Sequence, residues 1–118
     1  METIWQQAEG LSKEMTARRR DLHQHPETGW TEFRTACMII KELKALGYEV
    51  AFGADVIDEK SMMGVPAAAE LEEYMQRAIS EGADSTLVAK MAGGKTGIVA
   101  TMKTEQPGKT VAFRFDMD

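Results

Sequence analysis

The sequence is poor in cysteine, in proline and in aromatic residues, which make up 7% of its 118 positions. With a single cysteine, Cys37, no internal disulfide can form. This excludes a disulfide-stapled scaffold and suits a reducing compartment. No apolar run approaches the ~18–20 residues that span a bilayer. The opening METIWQQAEG lacks the basic stretch and apolar core of a secretory signal. The expected location is therefore cytoplasmic, with no membrane partner. Basic charge is scarce too: 14 Lys and Arg against 19 Asp and Glu give a net charge of −5. Such a balance favours solubility and argues against a nucleic-acid partner. The one basic cluster, Arg18-Arg19-Arg20, is followed at once by Asp21.

What is present fits one domain with a modest core, since 43% of the residues are hydrophobic. Ile4, Ala8, Leu11, Met15 and Leu22 form a helical stripe that ends before Pro26, because a residue preceding proline is pushed out of the α region. A second helix is expected from Thr31 as N-cap, with the stripe Phe33, Ala36, Cys37, Ile40 and Leu43 and a stop at Gly47. YEVAF alternates as a short strand, and GADVIDEKSMMGVP reads as a loop. A third helix follows Pro66 with the stripe Leu71, Tyr74, Met75 and Ala78, ending at Gly82. A short fourth helix starts at Asp84 or Ser85 and stops at Gly93-Gly94. TGIVATMKT and TVAFRF, joined by EQPGK, predict an antiparallel hairpin.

Several segments invite a chemical reading. GGKTG lacks the first glycine of a phosphate-binding loop, Ala89 standing in its place, and it runs from a helix into a strand. A helix cap and turn explain it better than nucleotide binding. His23 and His25 are two apart near a helix end, which points them to different sides, so they read as residues holding that end rather than as a chelating pair. Cys37 sits on an apolar stripe and reads as a small inert hydrophobe. The ending VAFRFDMD is the most suggestive. In a strand, Ala112, Arg114, Asp116 and Asp118 share one face, while Val111, Phe113 and Phe115 occupy the other and would be buried. Carboxylates at the C-terminal end of a strand in an α/β sheet stand where such folds collect ligands, including Zn²⁺ or Mn²⁺. A solvated strand end with an Arg114–Asp116 pair is the alternative.

Three segments, RRRDLHQHPETGWTEFRTA, GGKTGIVATM and VAFRFDMD, occur in this order and resemble the start of the aminoacylase and carboxypeptidase-G family of metallopeptidases. Within it they resemble the amidohydrolase branch that also holds the auxin-conjugate hydrolases. The branch's R-R-x-x-H-x-x-P-E segment is matched by Arg19, Arg20, His23, Pro26 and Glu27, and its A-x-R-x-D-M-D strand by Ala112, Arg114, Asp116, Met117 and Asp118. The insertion SMMGVPAAAELEEYMQRAISEGA is similar to that of members acting on p-aminobenzoyl-glutamate.

The resemblance implies an α/β fold: the N-terminal portion, residues 1–118, of an α/β/α zinc-peptidase-like catalytic domain, with about four helices, a β-hairpin and one further short strand. It implies metal-dependent hydrolysis of the amide bond of N-acyl or aminobenzoyl amino acids. Two divalent ions, Zn or Mn, would activate water and polarise the carbonyl, and a glutamate would act as general base. Related members carry His-x-Asp at the strand end, the His binding metal and the Asp orienting a ligand. Asp116 stands at that His position as the candidate metal residue, and Asp118 at that Asp position as the candidate catalytic residue. With a carboxylate in place of imidazole, Asp116 either touches metal or supports a group that does. The branch's Cys-Gly-His segment, its glutamate base, its later histidines and its dimerisation domain have no counterpart here. The expectation is thus an inactive N-terminal fragment that holds no metal tightly and is prone to self-association, from an enzyme that forms homo- or hetero-oligomers. A small stand-alone α/β interaction module without catalysis is the other reading.

Overall fold

A computed structural model describes residues 1–117. The N-terminal periodic segment forms two helices, α1 (Ile4–Gly10) and α2 (Ser12–Gln24), rather than one. Thr3 starts α1 with a capping box: its hydroxyl accepts from the Gln6 N–H, and the Gln6 side chain accepts from the Thr3 N–H at 2.9 Å. The break falls at Gly10, a poor helix former. Neither helix contains a buried residue, and Ile4, Leu11 and Met15 all face solvent. The stripe produces helix, as the pattern predicts, but no described element packs over it. Instead α2 docks by charge, through ion pairs Arg18–Glu42 (2.6 Å) and Asp21–Arg34 (2.9 Å) to the next helix.

That helix, α3 (Phe33–Ala45), supplies half of the core: Phe33, Ala36, Cys37 and Ile40 are buried, as their spacing predicts. Leu71 and Ala78 from α4 (Ala68–Ser80), Val88 from α5 (Ser85–Lys90) and Met91 complete it. Each large side chain so enclosed stabilises by about 1.5–3 kcal/mol. Asp84 caps α5, accepting from the N–H groups of Thr86 and Leu87. Among the described residues there are thus five helices where about four were expected, because the first divides. Single 3₁₀ turns at Gly53–Asp55 and Glu59–Ser61 mark the segment read as a loop.

The sheet departs from expectation. Strand β1 (Glu49–Phe52) pairs antiparallel with β2 (Ile98–Thr101), Glu49 opposite Thr101 and Phe52 opposite Ile98. Both strands match the alternation in the sequence, but the expected partner of β2 is a hairpin arm at residues 110–117. Those residues form no strand, and no hairpin exists among the described residues. The pairing that does form is fixed where β1 meets the end of α5, and the second edge of β2 carries no strand among the described residues. A Cβ on Gly53, just after β1, would lie 2.5 Å from the Lys90 carbonyl, and the Gly53 N–H bonds the Gly97 carbonyl at 3.2 Å. The chain leaving α5 is thereby laid along β1, with Val50, Phe52 and Ile98 half-buried against the core. Among the described residues from 102 onward, only a half-buried Met117 packs against the core.

Candidate functional site

The acidic ending retains strand-like alternation without a sheet. Arg114 and Asp116 lie on one side, joined by an ion pair of 2.9 Å. Phe113 and Phe115 lie on the other, their rings stacked at 6.2 Å between centroids and 15° between planes. Residues two apart meet in this way only where the backbone is extended. Val111, Phe113 and Phe115 were expected to be buried; they are 71%, 79% and 84% exposed. The Asp116 side chain is also well exposed, and the exposed pair with Arg114 contributes little stability. Asp118, the proposed catalytic partner, lies outside the described residues.

These geometries bear on whether the residues suit a metal ion. Asp116 already faces a guanidinium, and among the described residues no three His, Cys, Asp or Glu side chains converge on one point. A zinc site takes three or four protein ligands. The described residues therefore do not fit a metal centre by themselves.

The histidine segment builds a helix junction. The His25 ring places Nδ1 2.8 Å from the Asp21 carbonyl, to which it donates across the last turn of α2. His23 is exposed. Glu27 performs the task assigned to Thr31: its carboxylate accepts from the N–H of Arg34 (2.8 Å), the N–H of Thr35 (2.9 Å) and the Thr35 hydroxyl (2.7 Å). A full negative charge at the positive end of α3 satisfies two free donors and complements the helix dipole. Thr31 instead closes the preceding turn, accepting from the Thr28 N–H and donating to the Thr28 carbonyl. Between them Trp30 adopts φ +68°, a left-handed conformation held by a 2.8 Å bond from its Nε1–H to the Met63 carbonyl.

Beside this junction, Arg34 grips both oxygens of Asp21 at 2.9 Å. Hydrogen bonding to Arg34 holds the Asp21 carboxyl below the usual carboxylate range. Glu32 and Thr96 are both buried and bond one another at 2.8 Å, tying the start of α3 to the approach to β2. GGKTG itself is a helix stop, with Gly93 and Gly94 at positive φ and the Lys95 N–H returning to the Met91 carbonyl. Cys37 is buried, and that burial pushes its thiol up to about 11. Two hollows flank α3. One, of about 510 Å³ and mostly apolar, lies toward α2 and is bordered by Leu22, Ile39 and Leu43 with Arg18 at its rim. The other, of about 80 Å³, lies between Arg34, Lys41, Glu81 and Asp84.

Of the residues singled out in the sequence, the structure brings Arg114 beside Asp116, and His25 and Glu27 into one helix junction; it does not bring the histidines to Asp116. The Asp21–Arg34 and Glu32–Thr96 pairs were not anticipated, their partners lying 13 and 64 positions apart. The Glu27 cap had a signal, a carboxylate shortly before an apolar-periodic run.

No protein-family model matches the chain. Over all 118 residues it is 44% identical to the first of the p-aminobenzoyl-glutamate hydrolase subunits of Escherichia coli, of which it covers 27%. Over 108 residues it is 48% identical to the indole-3-acetyl-aspartic acid hydrolase of Enterobacter agglomerans, covering 25% of that protein. The crystal structure of the aminobenzoyl-glutamate utilization protein from Klebsiella pneumoniae superposes with a TM-score of 0.80 at 44% identity, over 85% of this chain and 25% of that one. The chain thus spans about a quarter of the length of the relatives it matches. By sequence and by fold, it is a homologue of that quarter of the aminobenzoyl-glutamate and indole-3-acetyl-aspartate hydrolases.

Proposed function

We propose that this chain contributes part of the catalytic domain of a metal-dependent amidohydrolase that releases an acidic amino acid from an aromatic acyl group. The observation that carries the reading is the identity of 44% and 48% to two hydrolases whose names share one chemistry. Aminobenzoyl-glutamate and indole-3-acetyl-aspartate each join an aromatic acid to a dicarboxylic amino acid by an amide. In this reading Asp116, on the extended ending, serves as the metal residue and Asp118 as the catalytic residue of a zinc-peptidase-like α/β/α domain. Two divalent ions, zinc or manganese, would supply Lewis acidity there when bound. The described residues alone do not assemble their ligands, so the remaining ligands must come from sequence beyond this quarter of the relatives. The helix junction at Glu27, Asp21 and Arg34 is its scaffold, fixing α3 rather than touching substrate.

The test is a chimera in which residues 1–118 replace the matching quarter of the Escherichia coli p-aminobenzoyl-glutamate hydrolase chain. Hydrolysis of p-aminobenzoyl-glutamate by the chimera, at a rate within tenfold of the parent, supports the reading. A folded, metal-loaded chimera without turnover overturns it. Asp116→Asn within the chimera then separates two roles: lost metal content marks a ligand, whereas retained metal with lowered kcat marks a positioning residue. The 118-residue chain alone is expected to show no turnover and no sub-micromolar affinity for Zn²⁺ or Mn²⁺ by calorimetric titration.

A further inference from the structure

We infer that Lys95, in the GGKTG turn, is a specificity residue whose ammonium takes the side-chain carboxylate of the dicarboxylic amino acid, a role that rests on the reaction proposed above. In the chain by itself Glu59 stands in that place. The first observation is how Lys95 is held. Every other lysine is exposed, whereas the Lys95 side chain is only 17% exposed. The segment after β1 lies along this turn. The Gly53 N–H bonds the Gly97 carbonyl, and the Ile57 side chain fills the space that a Cβ on Gly97 would need. A Cβ on Gly93 would lie 3.5 Å from the Lys95 Nζ, so the ammonium is pinned over the turn. A charge fixed before its ligand arrives loses little freedom on binding.

Second, the donors around this ammonium lack acceptors. Among the described residues Nζ makes no hydrogen bond; Glu59 approaches to 3.6 Å, beyond the ~2.7–3.2 Å of such a bond. The N–H groups of Gly93 and Gly94, both at positive φ, likewise bond no carbonyl of the described residues. Successive N–H groups in a turn of this kind suit an anion, and an ammonium beside them adds a full charge. A carboxylate fits better than a nucleotide, because the turn leads into β2 and offers no helix N-terminus to a phosphate chain.

Third, the carboxylate drawn to Lys95 is loosely held. Asp58 closes the 3₁₀ turn by accepting from the Lys60 N–H and the Ser61 hydroxyl, which leaves Glu59, 79% exposed, as its unanchored acid. So exposed a pair contributes little, and an incoming carboxylate that also reaches the turn's N–H groups displaces it. Lysine presents a compact charge without a rigid fork, so it accepts either glutamate or aspartate, the two acids in the relatives' names. The turn and the acidic ending also rest on one core. The Lys95 N–H returns to the carbonyl of buried Met91, and Met117, next to Asp116, packs against the same cluster.

The test compares p-aminobenzoyl-glutamate with p-aminobenzoyl-glutamine, in which an amide replaces the side-chain carboxylate. In the chimera, Lys95→Met should lower the kcat/KM preference for the glutamate conjugate roughly ten- to a hundredfold, through KM, while Lys95→Arg keeps most of it. Glu59→Gln removes the competitor and should lower KM for the glutamate conjugate by up to about fivefold. An unchanged preference in Lys95→Met, or an equal loss on both conjugates, overturns the inference. Binding to the 118-residue chain needs no turnover, so an inactive chimera counts against the reaction and not against the site. Amide shifts at residues 93–96 that saturate with the glutamate conjugate alone, and vanish in Lys95→Met, support it. Absent shifts, or equal shifts with both conjugates, overturn it.

Discussion

Asp21 shows how one carboxylate can make stability depend on pH. Arg34 holds its native pKa below the ordinary carboxylate value of ~3.9. The ion pair's contribution is therefore complete above the unfolded value and is lost as pH falls through the lowered native one. Because the Asp21 side chain is about a third exposed, solvent screening keeps that contribution modest. Urea midpoints of the wild type and Asp21→Asn should differ by a constant amount above about pH 5, draw together as pH falls below about 4, and meet only below the lowered native value. A gap that persists at low pH would show that the pair stabilises by packing instead. Cys37 illustrates the opposite sign. Burial pushes its thiol up to about 11, so at pH 8 the native protein should react with a disulfide reagent at least roughly a hundredfold more slowly than a free thiol. In denaturant the ordinary rate should return. Equal rates in both states would mean that the α3–α5 packing opens freely.

At the scale of elements, glycine positions decide where strands and helices can meet. Gly47 and Gly53 both have positive φ, at +91° and +68°. A Cβ on Gly47 meets nothing, so Gly47→Ala should cost only the conformational penalty of about 1 kcal/mol. A Cβ on Gly53 meets the Lys90 backbone, which cannot rotate away, so Gly53→Ala should cost more than about 2 kcal/mol. Equal losses in urea unfolding would show that β1 and α5 are not tightly apposed. The same contact explains what the sequence could and could not disclose. The apolar spacing in α3, α4 and α5, with stops at Gly82 and Gly93, is a local property and predicts those helices closely. The alternation in YEVAF and TGIVATMKT likewise marks two strands, but alternation assigns faces, not partners. The choice of β1 for β2 depends on a close approach at Gly53, which no local pattern records. Thr31 had the chemistry of a cap, yet Glu27 reaches the same donors with a full charge and displaces it.

For the whole molecule, a legible pattern and a covered surface are separate matters. The α1–α2 stripe and the Phe113–Phe115 face were read correctly as apolar faces, but amphipathicity does not say what lies over them, and here no described element does. At the acidic ending a two-residue period predicts that Arg114 meets Asp116, which is what the solvated strand-end reading describes, whereas that period carries no information about further ligands from distant parts of a chain. Stability should accordingly be uneven along the chain. The buried core ends at Met91, β2 at Thr101, and beyond it only Met117 touches the core among the described residues. Lys103, Lys109 and Arg114 lie exposed in backbone without ladder hydrogen bonds, where local opening costs least. Limited trypsin digestion followed by mass measurement should therefore cut first at these three residues and leave a product with native helical circular dichroism. Lys90 and Lys95, held between the core and β2, should be cut only with global unfolding. Early cleavage at Lys95 would show that the junction of α5 with β2, on which the placement of the sheet depends, is not the rigid element that the Gly53 contact and the Glu32–Thr96 bond describe.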